Sequence, residues 1–301
     1  MLTELARRLT LLALMAWALP CAALTATDDT GTQVTLETPP QRIISLAPHT
    51  TELLFSLGLG SRVVGVTEYS DYPPPAQAIP RVGRHDSFNL ERILALKPDL
   101  VLAWASGNGS EIIDRLRQFD LPVFVLEPDT LTAVPEALVR LGRLTGTEER
   151  ARVKAGQYRG QLEQLTQAYS ERAPVRVFYQ VWDAPLMTLA GDQYITDAIA
   201  RCGGHNVFAD LSGKTAAVSE EAVLARRPQM ILSAGEGEPE SVFGRWRALG
   251  GIPAVEYDQL VLLPPDTLAR PTLRLVDGLD QLCQVIDGAR QVIHESGERS
   301  T

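Results

Sequence analysis

Residues 91–104 read ERILALKPDLVLAW, and residues 221–234 read EAVLARRPQMILSA, a related stretch 130 positions later in the chain. The opening glutamate, the proline before the apolar run and two leucines recur in register. Each stretch passes from an amphipathic segment into an apolar run, which predicts a helix followed by a buried strand. A weaker echo pairs residues 51–58, TELLFSLG, with residues 196–203, TDAIARCG. Two echoes in the same order predict a chain built from two related lobes.

The sequence around these echoes alternates apolar runs with amphipathic stretches, the pattern of a parallel sheet covered by helices. Thr50 and Asn89 stand at the start of two helical stretches and are the expected N-caps. The runs predicted as strands are RIISLA (42–47), RVVGV (62–66), DLVLAW (99–104), PVFVL (122–126), VRVFYQV (175–181), QMILSA (229–234) and LVLLP (260–264).

Residues 147–172 separate the two series of strands. This segment is rich in Gln, Glu and Arg and contains no proline, which predicts one long helix. We therefore expect an α/β fold with two lobes, each around a mainly parallel sheet, joined by one long rigid α-helix. The expected N-terminal lobe is 24–146, the interlobe helix is 147–172 and the C-terminal lobe is 173–301.

The composition is that of an ordinary globular protein. The 301 residues are 45% hydrophobic, which excludes a disordered chain or a disulfide-dense miniprotein. Lys and Arg number 28 against 37 Asp and Glu, so the formal net charge is −9. A chain without a basic excess is poorly suited to coat nucleic acid.

The first segment, residues 1–23, has the pattern of a secretory signal peptide. Arg7 and Arg8 precede a short apolar run, and small residues follow it at a potential cleavage site. The apolar run is shorter than the roughly 20 residues of a transmembrane helix. Cys21 offers an alternative, a lipid-anchored N-terminus, although Pro20 fits that processing signal poorly. We expect the mature chain to be exported.

Two cysteines remain after signal cleavage, Cys202 and Cys283. In an oxidising compartment an even pair indicates one disulfide. The alternative is a pair of buried free thiols.

Signatures of enzymatic chemistry are missing from the sequence. It has no G-x-S-x-G nucleophile elbow, no H-E-x-x-H zinc motif and no G-x-x-x-x-G-K-[ST] phosphate loop. The four histidines are scattered without metal-ligand spacing. A two-lobed exported protein without catalytic motifs is expected to be a non-enzymatic binding protein with a ligand cleft and no cofactor or resident metal.

The sequence resembles the periplasmic substrate-binding proteins of ABC importers, in particular the cobalamin-binding members of the group whose lobes are joined by one long helix. The resemblance extends from about Arg42 to Ile286. It is carried by RIISLAPHTTELLFSLG, VVGVTEYSDYPPPAQ, NLERILALKPDLVLAW, CGGHNVF and LARPTLR. It implies a monomer that captures cobalamin (vitamin B12) as a transported ligand. It also implies delivery of that ligand to an inner-membrane permease and its ATPase.

The resemblance also implies which residues contact the ligand. Tyr69, which opens YSDYPP, is expected to lie against the corrin ring, with a packed turn tyrosine as the alternative. Trp104 and Trp182, each near a strand end, are expected to contact the ligand. Asp266 and Arg270 are expected to hydrogen-bond its amide side chains; the alternative is a helix-start pair with Asp266 as N-cap.

Two departures from the family pattern fall where relatives carry tryptophans, at His85 and at residues 215–216. His85 is expected near the ligand, either as a polar surface residue or approaching the cobalt.

The duplicated acids Glu91 and Glu221 are implied to dock onto the transporter, and the alternative is that they complement helix dipoles. Trp246 is expected to be a core residue.

Other functions stay open beside the binding of cobalamin. Haem-binding relatives carry a tyrosine in a similar segment, which would make Tyr72 an iron ligand. A ferric siderophore is a further ligand class, and an exported hydrolase is the alternative from another class of protein.

Overall fold

The computed structural model describes residues 23–84, 86–266 and 268–298. The expected signal peptide therefore lies outside the described residues, apart from Ala23, and so does His85. None of the helices in the described part of the chain is long and apolar enough to cross a membrane.

The N-terminal part contains eight strands, five α-helices and two short 3₁₀ turns in the described ranges. The strands are β1 (Leu24–Thr27), β2 (Gln33–Leu36), β3 (Ile43–Ser45), β4 (Val63–Thr67), β5 (Arg81–Arg84), β6 (Ser87–Phe88), β7 (Leu100–Ala103) and β8 (Val123–Val125). The helices are α1 (Pro48–Ser56), α2 (Leu90–Ala95), α3 (Ala105–Asn108), α4 (Ser110–Gln118) and α5 (Ala133–Thr145), and the 3₁₀ turns are Gly60–Arg62 and Pro74–Ala78.

The remaining elements follow one long helix, α6 (Glu148–Tyr169). The strands are β9 (Val175–Trp182), β10 (Met187–Leu189), β11 (Gly204–Asn206), β12 (Thr215–Ala217), β13 (Met230–Ala234) and β14 (Leu260–Leu263). The helices are α7 (Tyr194–Arg201), α8 (Glu220–Arg226), α9 (Pro239–Leu249), α10 (Pro253–Glu256) and α11 (Leu275–Glu298).

Each lobe is organised around one six-stranded sheet. The first has the order β6-β5-β4-β3-β7-β8, and every pair in it is parallel except β5 with β6. The second has the order β12-β10-β9-β13-β14, with β11 also paired to β9. In this sheet β9, β11, β13 and β14 are parallel, whereas β10 and β12 run antiparallel to their neighbours. The predicted α/β class with two lobes and a long connecting helix is confirmed.

Helix α6 contributes side chains to the cores of both lobes. Ala151 packs into the core of the first lobe, whereas Tyr158 and Leu162 pack into the core of the second. With the buried Ala155, these residues are spaced by three and four, which places their side chains on one face of the helix. Burying one such large apolar side chain contributes about 1.5–3 kcal/mol. The helix is therefore fastened to both lobes. The lobe boundaries at 146 and 173 stay a prediction.

The two related sequence stretches form the same unit in each lobe, α2 followed by β7 and α8 followed by β13. Asn89 caps the first helix by accepting from the Arg92 backbone N–H at 2.9 Å. Ser219 caps the second by accepting from the Ala222 backbone N–H at 3.2 Å. The predicted N-cap at Asn89 is thus confirmed, and each unit begins in the same way.

The N-cap predicted at Thr50 is wrong. Helix α1 begins at Pro48, and Thr50 lies within its first turn, where its hydroxyl donates to the Ala47 carbonyl at 2.9 Å. Proline suits the first helical position because it lacks the N–H that would be unpaired there.

The predicted disulfide between Cys202 and Cys283 is confirmed, with a Cα–Cα distance of 4.6 Å. It joins the end of α7 to α11, inside the core of the second lobe. Trp246 is fully buried, as expected for a core residue, and its indole N–H donates to Oε1 of Gln180 at 2.7 Å.

Candidate ligand-binding cleft

Strands β3, β4, β7 and β8 run parallel, so their carboxyl ends meet at one edge of the first sheet. The residues that follow these ends include His49, Tyr69, Trp104 and Glu127. The second lobe faces this edge, and together the lobes enclose a cleft of about 420 Å³. That volume lies in the range of small-molecule sites. Its lining also includes Pro48, Ser106, Pro128, Asp129, Gln193, Tyr194, Lys214 and residues 269–271.

Tyr69 presents its ring on the wall of the cleft, and 69% of the residue is exposed. Its backbone has φ = 63°, the left-handed region that non-glycine residues adopt at a cost of about 1–2 kcal/mol. The turn is held by the Ser70 N–H, which donates to the Thr67 carbonyl at 3.3 Å. Strain of this kind concentrates at functional sites. The structure places Tyr69 where the sequence analysis expects a ligand contact.

Trp104 is fixed at the cleft through its backbone. Its N–H donates to Oδ1 of buried Asn108 at 2.7 Å, and the Asn108 amide donates to the Leu46 carbonyl at 3.0 Å. The indole lies over Gly107, where a Cβ atom would come within 1.9 Å of the ring. Glycine at this position therefore makes room for the indole on the wall of the cleft.

His49 lies beside this indole. The two rings meet edge to face, with centroids 5.6 Å apart and an interplanar angle of 87°. His49 is buried, and burial lowers its pKa to about 4 against the opposing pull of the Glu127 carboxylate. The imidazole is therefore neutral at ordinary pH. Sequence reasoning missed His49, although its position just after the first apolar run was a usable signal.

One end of the cleft carries a cluster of ion pairs around Glu52. This buried carboxylate accepts from Arg270 at 3.0 Å and from Arg274 at 2.7 and 2.9 Å. Arg270 also donates to Asp71 at 2.7 Å. Partial burial opposes the charged form of Asp71, but the Arg270 guanidinium outweighs it and holds the pKa of that carboxyl below its usual value. Arg270 is thus in the cleft as expected, and its charge is neutralised.

A second ion pair joins the lobes across the cleft. Glu127, after β8, pairs with the Lys214 ammonium of the second lobe. Its carboxylate also accepts from the Ser106 backbone N–H at 2.8 Å and from the Ser106 hydroxyl at 2.9 Å. Burial opposes ionisation of Glu127, yet these donors keep its pKa below the usual value. No local pattern marked Lys214, because its partner lies 87 positions away.

Two predicted ligand contacts lie outside this lining. Trp182 is 65% exposed near the end of β9, and its indole N–H donates to the Ala184 carbonyl at 3.2 Å. Asp266 is exposed after β14. The helix-start alternative for Asp266 is wrong, since α11 begins at Leu275.

The remaining predicted residues lie in different places. Thr215 and Ala216 belong to β12, next to Lys214, and are outside the lining. Tyr72 borders a separate groove, where the Arg274 guanidinium covers its ring at 3.8 Å. Within the described ranges, no group of three or more His, Cys, Asp or Glu is arranged to hold a metal ion.

Two α/β lobes joined by a long helix, with aromatic rings in the cleft between them, define a bilobal solute-binding protein. Residues 43–267 match the family model described as periplasmic binding protein, and the chain belongs to that family.

Proteins named as vitamin B12-binding are similar to this chain along most of its length. The one from Vibrio cholerae is 37% identical over 254 residues, covering 84% of this chain and 91% of the relative. The one from Yersinia pestis is 34% identical, covering 85% and 90%. A crystal structure of the periplasmic vitamin B12-binding protein of Vibrio cholerae is 36% identical, with a TM-score of 0.76 over 84% of this chain and 99% of that one.

A periplasmic heme-binding protein from Roseiflexus shares the fold. It is 24% identical, with a TM-score of 0.72 over 83% of this chain and 98% of that one.

Proposed function

We propose that the chain is a non-enzymatic periplasmic protein that captures cobalamin between its lobes and delivers it to an inner-membrane ABC permease and its ATPase. The choice of cobalamin as the ligand rests on one observation, the charge balance of the cleft. Among the described residues of its lining, the cations Lys214 and Arg270 are each held by carboxylates, and Tyr69 and Trp104 supply aromatic rings beside them. Such a lining suits a flat, amide-rich ligand. The relatives named as vitamin B12-binding support the same choice.

The other ligand classes find less support in this cleft. Haem carries carboxylates and some ferric siderophores are anionic complexes, and such ligands favour a site with unpaired cations. Tyr72, the haem-ligand alternative, is covered by Arg274 and borders another groove.

Calorimetric titration of residues 24–301 with cyanocobalamin, and in parallel with hemin, tests this proposal. We expect one-to-one binding of the corrinoid alone. Tyr69→Ala and Trp104→Ala are each expected to weaken binding about 10-fold or more, because each removes an aromatic contact worth about 1–3 kcal/mol. Trp182→Ala is the matched aromatic control and is expected to retain affinity, since its ring lies outside the lining. Binding of hemin alone would contradict the proposal.

Transporter docking is proposed to use Glu91 and Glu221. Both are exposed, and each lies in the first turn of its helix, α2 or α8, at corresponding positions of the two related units. A permease with two-fold symmetry presents the same surface twice, so paired acids would meet paired basic sites.

The docking proposal predicts that Glu91→Arg with Glu221→Arg abolishes transport and leaves cyanocobalamin affinity unchanged. Uptake into cells or vesicles measures the first property, and calorimetry the second. Glu111→Arg with Glu149→Arg reverses two other exposed first-turn acids, on α4 and α6, and serves as the control. Loss of ligand binding in the Glu91/Glu221 double variant would contradict this role. Equal loss of transport in the two double variants would also contradict it.

A further inference from the structure

The buried imidazole of His49 has an unsatisfied nitrogen. Among the described residues, three buried side-chain atoms lack a hydrogen-bond partner: Nε2 of His49, Nε of Arg140 and the hydroxyl of Tyr158. Of these residues, His49 alone lines the cleft. A buried polar atom without a partner costs roughly 1–3 kcal/mol, so such an atom at a binding site indicates a partner that arrives with the ligand.

The protonation of the ring follows from its neighbours. Around it lie the charged groups Glu127, Arg270 and Lys214, and the backbone carbonyl of Leu126 interacts with the imidazole as a hydrogen-bond acceptor. Since Nε2 has no partner, we assign the proton to Nδ1, which leaves the lone pair on Nε2. His49 then offers an acceptor and no charge.

An acceptor at this point distinguishes between ligand groups. A primary amide has N–H donors and can satisfy the lone pair, whereas an ionised carboxylate has only acceptors and is repelled by it. The Trp104 ring stands next to the imidazole, with the ring centroids 5.6 Å apart, and both residues line the cleft. A ligand that contacts Trp104 therefore also comes close to His49.

We propose that His49 is a specificity-determining residue, whose Nε2 accepts a hydrogen bond from a carboxamide N–H on the edge of the ligand and selects amide-bearing rings over carboxylate-bearing ones. This inference rests on the proposed capture of a corrinoid, whose rim carries such amides.

The test compares cyanocobalamin with its monocarboxylates, in which one side-chain amide at a time is hydrolysed to the acid. We expect one of these derivatives to bind the unaltered protein about 10-fold or more weakly than cyanocobalamin. That penalty is expected to shrink to within about twofold in His49→Ala, because the acceptor that rejects the carboxylate is gone. His205→Ala, at an exposed position of β11 in the other lobe, is the histidine control and should keep the full penalty.

A second variant keeps the test independent of folding. His49→Gln retains an amide oxygen as acceptor and is expected to restore cyanocobalamin affinity lost in His49→Ala. The loss of affinity for each derivative is measured on the unaltered protein, so that measurement does not depend on how a variant folds. If every derivative shows the same penalty in the unaltered protein and in His49→Ala, the inference is wrong. It is also wrong if bound aquocobalamin shows a shifted absorption band that His49→Ala abolishes, since the lone pair would then coordinate cobalt. Failure of the unaltered protein to bind cyanocobalamin would instead overturn the proposed function itself.

Discussion

The position of Trp104 depends on a missing side chain. Its indole occupies the space next to Gly107 that a Cβ atom would fill, at 1.9 Å from the ring. The backbone of Trp104 is meanwhile held by Asn108. The backbone of Trp104 is therefore fixed, and the direction of its ring depends on one glycine.

We predict that Gly107→Ala turns the indole away from its present place and weakens cyanocobalamin binding several-fold. Folding stability should change little, because alanine is favourable in a helix and the ring can rotate. Titration calorimetry measures the affinity, and tryptophan fluorescence reports the changed position of the indole. Gly156→Ala, on α6 with open space around it, is the control and should leave both unchanged.

The buried imidazole makes stability depend on pH. The pKa of His49 falls from 6.5 to about 4 on folding, so between these values the unfolded chain binds a proton that the folded protein does not. Stability is therefore fully present above pH 6.5 and declines as the pH falls towards 4, by about 3 kcal/mol in all.

Urea unfolding at several pH values between 7 and 4 measures this dependence, compared between the unaltered protein and His49→Phe. Carboxylates such as Glu127 and Asp71, whose pKa values are lowered, add their own loss of stability at the acid end in both proteins. The difference between the two curves isolates the histidine. A constant difference over this range would contradict the assignment of a buried neutral imidazole.

At the scale of elements, the two helix–strand units agree in backbone detail. Lys97 and Arg227 correspond in the aligned stretches, just beyond α2 and α8, and both are left-handed, with φ values of 47° and 45°. The Arg42 N–H donates to Oδ1 of Asp99 at 2.8 Å, and the Arg176 N–H donates to Oε1 of Gln229 at 3.0 Å. The internal repeat seen in the sequence therefore extends to the hydrogen bonds that set each strand beside its neighbour.

The disulfide links two helices of the second lobe, α7 and α11. Cys202 and Cys283 are 81 residues apart, and closing a loop of that length in the unfolded chain is worth about 4 kcal/mol in the chain-entropy account. We expect Cys202→Ala with Cys283→Ala to lower the free energy of unfolding by about that amount. Denaturant titration measures the free energy of unfolding, and the unaltered protein under reducing conditions provides the parallel comparison. A loss below about 1 kcal/mol would show that the cross-link contributes little.

At the scale of the whole molecule, polar contacts tie the lobes together on different sides of the cleft. Lys214 pairs with Glu127 across it, and Arg270 reaches Glu52 and Asp71 from the segment before α11. A ligand that enters must separate at least one of these pairs if it is larger than the present cavity. The free energy of opening the cleft therefore includes the cost of breaking an ion pair.

We predict that Lys214→Met raises the association rate constant for cyanocobalamin about two- to fivefold and reduces its dependence on salt. A partly exposed pair of this kind contributes up to about 1 kcal/mol, which sets the modest size of the expected change. Stopped-flow mixing at two ionic strengths measures the rates. Arg152→Met breaks the Arg152–Glu148 pair within α6 and serves as the control. A slower association in Lys214→Met would mean that the ammonium guides the ligand instead.

The sequence by itself determined the alternation of helices and strands, the long connecting helix, the N-cap at Asn89 and the pairing of Cys202 with Cys283. These features follow from periodicity, caps and cysteine number, which are properties of short stretches or simple counts. It also indicated Tyr69, Trp104 and Arg270, because ligand contacts gather after the ends of parallel strands and in the motifs that carry the resemblance.

Only the tertiary structure decided how the cleft is charged and closed. Glu52 meets Arg274 across 222 positions of the chain, and Glu127 meets Lys214 across 87. Which side chains pair over such distances depends on how the two lobes approach each other, and no local pattern records it. The same approach leaves Trp182 outside the cleft lining, whereas packing beside Trp104 of the same lobe buries His49 at the cleft.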